Sequence, residues 1–182
     1  LFLNQSLMLT KAYDVLIANP PYMGSQYQSE SIREFLKVNF KHSKSDLFSA
    51  FVERLPTPPL TKNSTIFGFI TPFVWMFLSS YISLRRHIIE NTSIASLVQL
   101  EYNAFEPACI PVCAFTLTKY SLKDMKGIFI RLSDFKGIQN QSPRTIEAIK
   151  NKECNWRFEK ATGDFLKIPS SVIAYSYPEW AV

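Results

Sequence analysis

Glycine is scarce in this 182-residue chain: there are five, the first at position 24, and no two are separated by a single residue. A G-x-G turn is therefore absent. Cysteine is scarce too, with Cys109, Cys113 and Cys154. An odd, sparse set argues against a disulfide scaffold and for a reducing compartment, the cytoplasm. Cys109 and Cys113 are four apart, but the only histidines are His42 and His87 and there is no second cysteine pair. The four ligands of a structural zinc site are thus not assembled, and buried thiols are the better reading. Long apolar runs are missing as well. The longest, "IFGFITPFVWMFL", contains Pro72 and falls short of the roughly 20 residues a bilayer span needs, so no membrane is expected as a partner. The opening residues lack the basic region and small-residue cleavage site of a signal peptide.

What is present is a globular composition, 47% hydrophobic and 19% charged, with 15 Phe, 8 Tyr and 3 Trp. The length suits one domain. A net charge of +5 fits nucleic-acid binding without demanding it. "YDVLIA" (13–18) reads as a buried strand. "SIREFLKVNF" reads as a short helix. "SDLFSAFVERL" reads as another, capped by Ser45, with Leu47, Phe48, Phe51 and Leu55 at helical spacing. "TIFGFITP" (65–72) is a second buried strand. Residues 73–91 read as one helix with Arg85, Arg86 and His87 in its later turns, where cations suit the dipole. "IASLVQLEYNAF" and "IPVCAFTLTKY" read as two paired strands, and 128–132 as one more. Strands alternating with helices imply a parallel sheet, and the last pair an antiparallel finish. In such sheets chemistry sits beyond the carboxyl ends of the strands. The basic runs "IREFLKVNFKHSK" and "SLRRH" read best as solvated faces.

At the carboxyl end of the first strand stands "NPPY", Asn19–Pro20–Pro21–Tyr22. Neither proline can donate to a ladder, and each holds the residue before it extended. The Pro20 carbonyl and the Asn19 side-chain oxygen are then two acceptors on a stiff loop, with the flat face of Tyr22 beside them. Two acceptors can grip an exocyclic –NH₂ on a planar group: adenine N6, cytosine N4 or a carboxamide. Gripping its hydrogens localises the nitrogen lone pair and stabilises the charge that develops as it attacks, without a strong base. A base in a duplex must be flipped out to reach such a loop. Pro-Pro alone is an ordinary turn. From average residue frequencies even a loosened form of the quartet arises by chance in under about 1% of chains this long, which sets it apart.

With "DLFSAFVERL", "IFGFITPFVWMFLSSYISLRRHIIENTSIASLVQLEYNAFEP" and "PVCAFTLTKY" following in order, the chain resembles the N6-adenine DNA methyltransferases. The nearest likeness is to the large single-chain kind found in restriction–modification and in BREX phage defence. The resemblance runs over about 12–180. It implies an α/β fold, the carboxyl-terminal half of a Rossmann-like class I methyltransferase sheet with an antiparallel terminal hairpin. It implies that Asn19 and the Pro20 carbonyl hold N6, that Tyr22 stacks on the flipped adenine with Phe105 on its other side, and that Pro21 and Phe51 lie against S-adenosylmethionine. The partners implied are double-stranded DNA and other subunits of a defence system. Residues 1–125 would be a partial catalytic domain from the "NPPY" motif onward, and 126–182 an extension leading to target recognition.

Two departures stand out. The loop before the second strand is "LPTPPLTKNST" where the family carries Pro-Gly-Gly. More seriously, the family's glycine-rich cofactor turn precedes "NPPY", and here the 18 residues before Asn19 contain no glycine. The first half of the sheet is expected to lie outside this chain, which by itself would be inactive and would expose an unpaired edge and apolar surface. Two other readings compete. A protein-glutamine methyltransferase needs the same two acceptors, although such enzymes end soon after the final hairpin. A non-catalytic DNA-binding remnant, or one subunit of a split enzyme, needs no cofactor seat.

Overall fold

The computed structural model describes residues 2–54, 56–57, 60–104, 110–120, 122 and 124–177. Among the described residues five α-helices and six strands follow in the order α1 (Phe2–Thr10), β1 (Tyr13–Ala18), α2 (Glu30–Asn39), α3 (Leu47–Arg54), β2 (Thr61–Pro72), α4 (Ile82–Asn91), β3 (Ser93–Gln99), β4 (Val112–Thr118), β5 (Lys126–Arg131), α5 (Ile138–Lys150) and β6 (Arg157–Ala161). All six strands form one open sheet in the order β1-β2-β4-β3-β5-β6. The β1–β2 and β3–β5 ladders are parallel. Strand β4 runs antiparallel between β2 and β3, which is the expected hairpin, and β6 runs antiparallel to β5. Strands β1, β2, β3 and β5 thus point the same way and share one carboxyl end.

The period-2 pattern divides the sheet into two unlike faces. On the first, Phe67, Phe69, Leu97, Phe115, Leu117 and Phe129 are 2% exposed or less, and they pack with Phe48, Trp75, Leu84 and Ile88 from the helical segments. On the second, Ile130 packs with Leu132 and Ala148 of α5, flanked by Val98, Phe135 and Trp156. Towards β1 that face is bare, with a shallow apolar trough of about 250 Å³ floored by Ile17, Gly68, Ile70, Ala114 and Thr116.

Strand β1 departs from the buried strand read in the sequence. Val15 is 55% exposed and Ile17 81%. Among the described residues the strand has a hydrogen-bonded neighbour on one side only, so its apolar run lacks there the second partner and the covering layer that such runs normally have. Helix α1 is exposed along its whole length. The expectation of an unpaired edge with apolar surface is met here.

Residues 73–91 are not one helix. A 3-10 turn at Phe73–Met76 gives way to an extended residue, Leu78 (φ −66°, ψ 142°), then to a second short turn before α4 begins at Ile82. Arg85, Arg86 and His87 consequently fall in the middle of α4, not in its last turn, and Arg85 is fully buried while Arg86 is exposed. The solvated-face reading holds for Arg86 and fails for Arg85. The polar stretch after 137 carries α5 and β6, neither of which the sequence pattern announced. Cys113 and Cys154 are buried free thiols, as expected, and burial pushes Cys113 up to about 12; Cys109 lies outside the described residues. Among the described residues no helix is long and apolar enough to cross a membrane.

Two features make quantitative expectations. A Cβ on Gly127 would sit 2.0 Å from the Ile94 carbonyl oxygen on neighbouring β3, whereas one on Gly68 would meet only Ile17 side-chain atoms at 3.6 Å or more. Gly127→Ala is expected to cost about 1–3 kcal/mol in chemical denaturation, and Gly68→Ala much less. The histidines stack, with ring centroids 4.7 Å apart at 18°, and His42 Nδ1 lies 2.6 Å from Ser83 Oγ. Burial foremost, and His42 beside it, hold His87 below its ordinary 6.5, against the opposing pull of Glu53 and Glu90. The folded state therefore takes up this proton later than the unfolded chain does. The associated stability is complete above about pH 6.5 and is lost as pH falls below it. Denaturation midpoints measured from pH 7.5 to 5 should decline, with a shallower decline in His87→Gln.

Candidate active site

The "NPPY" loop leaves β1 at Ala18, at the shared carboxyl end. The parallel ladder runs as far as Ala18, opposite Phe69, and stops where the prolines remove the donors that would continue it. Pro20 is buried against the fold, while Asn19 and Pro21 face solvent and Tyr22 is half-buried. The loop is thus anchored by one proline, and the two residues flanking it are free to meet a ligand.

Tyr22 is fixed by its hydroxyl and by its ring. The hydroxyl lies 3.1 Å from the Ile70 carbonyl of β2 and 3.3 Å from Asn19 Oδ1. It has one proton to donate, and the nearer acceptor is Ile70, so Asn19 Oδ1 keeps acceptor capacity. Burial, followed by the nearby Cys113, pushes the phenol above its usual range and keeps it a neutral donor. The ring meets Phe48 of α3 edge-on, with centroids 6.2 Å apart at 84°, and Phe48 in turn packs on Tyr81 at 5.7 Å. A polarisable face therefore stands beside an exposed amide oxygen on a rigid loop. The chemical capacity is that of a receptor for a planar group bearing –NH₂.

Asp46 is the residue the sequence reading missed. It stands where Ser45 was expected, immediately before α3, and its Oδ1 accepts the main-chain N–H groups of Phe48 (3.2 Å) and of Met23 (2.9 Å). One carboxylate thus caps a helix and pins the residue that follows Tyr22. Leu47 N–H donates back to the Met23 carbonyl at 3.0 Å, and Ser25 N–H to the Ser45 carbonyl at 3.1 Å. Gln28 Nε2 donates to the same Met23 carbonyl at 2.9 Å. Burial raises the Asp46 carboxyl above its usual range in spite of the N–H groups that favour its charge. The signal was available: an Asp directly before an apolar helical pattern is a cap residue as good as Ser.

The other expected residues are placed unevenly. Phe51 is 39% exposed on α3, beside buried Phe48 and Val52; it and Pro21 both face solvent. Phe105 lies outside the described residues. Gln99, at the carboxyl end of β3, accepts the Tyr175 hydroxyl, which brings the distant segment 168–177 to the same end of the sheet. Among the described residues no group of three or more His, Cys, Asp or Glu could hold a metal ion. For S-adenosylmethionine the residues present fit only in part: Pro21 and Phe51 both face solvent, and the sequence holds no G-x-G turn.

A family model described as "Eco57I restriction-modification methylase" matches residues 2–105. The chain belongs to this family. Relatives of known name extend the likeness over almost the whole chain. The adenine-specific methyltransferase PglX of Lacticaseibacillus casei is 35% identical over 170 residues, 92% of this chain and 14% of that protein. The adenine-specific methyltransferase BrxX of Escherichia coli is 31% identical over 178 residues, 96% of this chain and 14% of that protein. The chain therefore spans about a seventh of the length of the curated relatives it matches. The fold is shared with the type I restriction-modification methyltransferase subunit of Streptococcus thermophilus, at a TM-score of 0.58 and 17% identity, over 86% of this chain and 36% of that one. The fold is likewise similar to that of a class I S-adenosylmethionine-dependent methyltransferase from Listeria monocytogenes, at a TM-score of 0.54 and 19% identity, over 76% of this chain and 42% of that one.

Asp46→Ala should lower stability by about 1–2 kcal/mol through the lost cap and release Met23, and Asp46→Asn, which keeps an acceptor oxygen, should cost less. Urea denaturation ranks the two. Equal losses would contradict the double role of the carboxylate.

Proposed function

We propose that this chain is the base-holding part of an adenine-specific DNA methyltransferase that marks host DNA in restriction or phage defence. One observation carries the reading: "NPPY" stands at the carboxyl end of β1, with the Asn19 oxygen open to solvent and Tyr22 braced beside it by the Ile70 carbonyl and Phe48. The family match and the names of the two relatives select adenine from the amino-bearing groups such a loop could hold. They also leave the glutamine reading behind, as does a sheet that gains two more strands after residue 125.

In this reading the flipped adenine of double-stranded DNA lies on Tyr22. Its N6 hydrogens are held by Asn19 Oδ1 and the Pro20 carbonyl, whose partial negative charges stabilise the positive charge that develops on the nitrogen as it attacks. No general base is needed at that stage. The stiffness of the proline pair keeps both oxygens in place without reorganisation, so their effect is greatest when charge develops. Phe105 would close the other side of the base. Pro21 and Phe51 would form one wall for S-adenosylmethionine, which supplies the methyl group. The bare trough on the second face and the open edge of β1 are where further strands and helices of a longer protein would complete the sheet. Residues 126–182 would lead on to the region that reads the target sequence, and other defence-system subunits would bind the assembled enzyme.

The test uses the full-length gene product and DNA from a host without adenine methylation. Tritiated methyl groups from S-adenosylmethionine should enter the DNA, and nucleoside mass spectrometry should find N6-methyladenine. Asn19→Ala should lower turnover about 100-fold, and Tyr22→Ala strongly, with Tyr22→Phe milder. Residues 1–182 alone should transfer nothing. Methylcytosine as the sole product, or full activity in Asn19→Ala, would overturn the reading.

A further inference from the structure

Arg85 is fully buried in α4, and its guanidinium faces no carboxylate in any contact of the described structure. Its acceptors are main-chain carbonyls. Nη1 donates to Trp75 at 2.8 Å and to Leu78 at 2.7 Å. Nε and Nη2 both donate to Ser170, at 3.2 and 2.9 Å. A buried cation without an anionic partner is tolerated only where polar atoms surround it closely. Here those atoms come from two segments far apart in sequence: the turn that follows β2, and a strap at residues 168–175.

The strap is bent for this contact. Ser170 and Ser171 both have left-handed backbones (φ 59° and 52°), a conformation non-glycine residues seldom adopt without compensation. Beyond the bend, Ile173 N–H donates to the Met76 carbonyl at 2.9 Å. Tyr175 stacks on Phe129 at 5.0 Å and 17°, and its hydroxyl reaches Gln99. Arg85 therefore closes one unit made of the 75–78 turn, the strap and the end of β3.

That unit adjoins the base loop. The Arg85-held turn starts directly after Pro72, two residues beyond the Ile70 carbonyl that holds Tyr22. Tyr81, at the foot of α4, joins Tyr22 through Phe48. Arg85 is itself fully buried and bonded only to main-chain carbonyls, so it acts through others.

We propose that Arg85 is a positioning residue that locks the 168–175 strap to the turn after β2, so that the chain running towards target recognition and the loop that holds the adenine move as one body. The inference rests on the functional reading above. Breaking the lock would leave DNA bound but its base poorly presented, which lowers turnover and spares affinity.

Two variants break the lock from opposite sides. Arg85→Lys keeps a cation but loses the planar fork that spans carbonyls of two segments. Ser170→Pro cannot adopt a positive φ and leaves α4 untouched; Ser170→Gly, which can, is the control. In the full-length gene product, both breaking variants should lower turnover at saturating plasmid DNA at least about 30-fold, with DNA affinity within about threefold and S-adenosylmethionine affinity unchanged; the glycine control should stay near the parent. Amide hydrogen exchange should rise together in 19–23, 73–81 and 168–175. The proposal is overturned if exchange rises only around the substituted residue, if DNA affinity falls as far as turnover, or if turnover falls only with the folded fraction. Exchange does not require methylation, so a parent that fails to methylate adenine would sink the functional reading while the lock is still decided.

Discussion

The parallel ladder between β1 and β2 holds the geometry on which the "NPPY" loop depends, and its termination matters as much as its length. The ladder carries Ala18 to a fixed height opposite Phe69. Two prolines then prevent the chain from pairing further or coiling into a helix. Asn19 and Pro20 are left with oxygens that no secondary structure consumes. The Ile70 carbonyl, one step further along β2, is reached by the Tyr22 hydroxyl. The same strand that fixes the start of the loop thus fixes its aromatic end.

Around this frame the structure spends most of its buried polar groups on main-chain atoms. Asp46 receives N–H groups from Met23 and Phe48, and Arg85 donates to three carbonyls. Thr162 Oγ1 accepts the N–H of Ile94 at 2.9 Å. Gln141 accepts the N–H of Glu101 at 3.1 Å. These side chains lock irregular backbone that no ladder satisfies, at the places where the chain turns between strands and helices. The surface ion pairs, such as Lys37 with Glu34 at 3.9 Å, are exposed and contribute little.

The legible parts of the sequence were those whose signal is local. "YDVLIA" ending at "NPPY" announced both strand and loop, and the pairing of β3 with β4 followed from two adjacent β-rich runs. What failed depended on partners elsewhere in the chain. Apolar β1 looked buried, but burial needs neighbours on both sides and a covering layer. Residues 73–91 looked helical because their apolar spacing fits, yet the Trp75 carbonyl is taken by Arg85, and the Leu78 carbonyl by Arg85 and by the Tyr81 N–H of a short turn. Helix α5 was hidden by Pro143 and a polar run, and β6 by its charged sequence "RFEKA", which is legible only once β5 is seen to need an outer neighbour. Asp46 was overlooked because Ser45 satisfied the same rule one residue earlier.

The sheet is not assembled in the order in which it is made. Strand β2 is synthesised well before β4, yet β4 is its neighbour on the inner side, and β3 emerges in between without pairing to β2 at all. On the ribosome the inner edge of β2 must wait unpaired until β4, its hairpin partner, has been made. Assembly of this kind, dominated by contacts distant in sequence, is slow and leaves sticky edges open along the way. The antiparallel insertion that gives the sheet its centre is therefore also the step at which a nascent chain is most open to holding by chaperones.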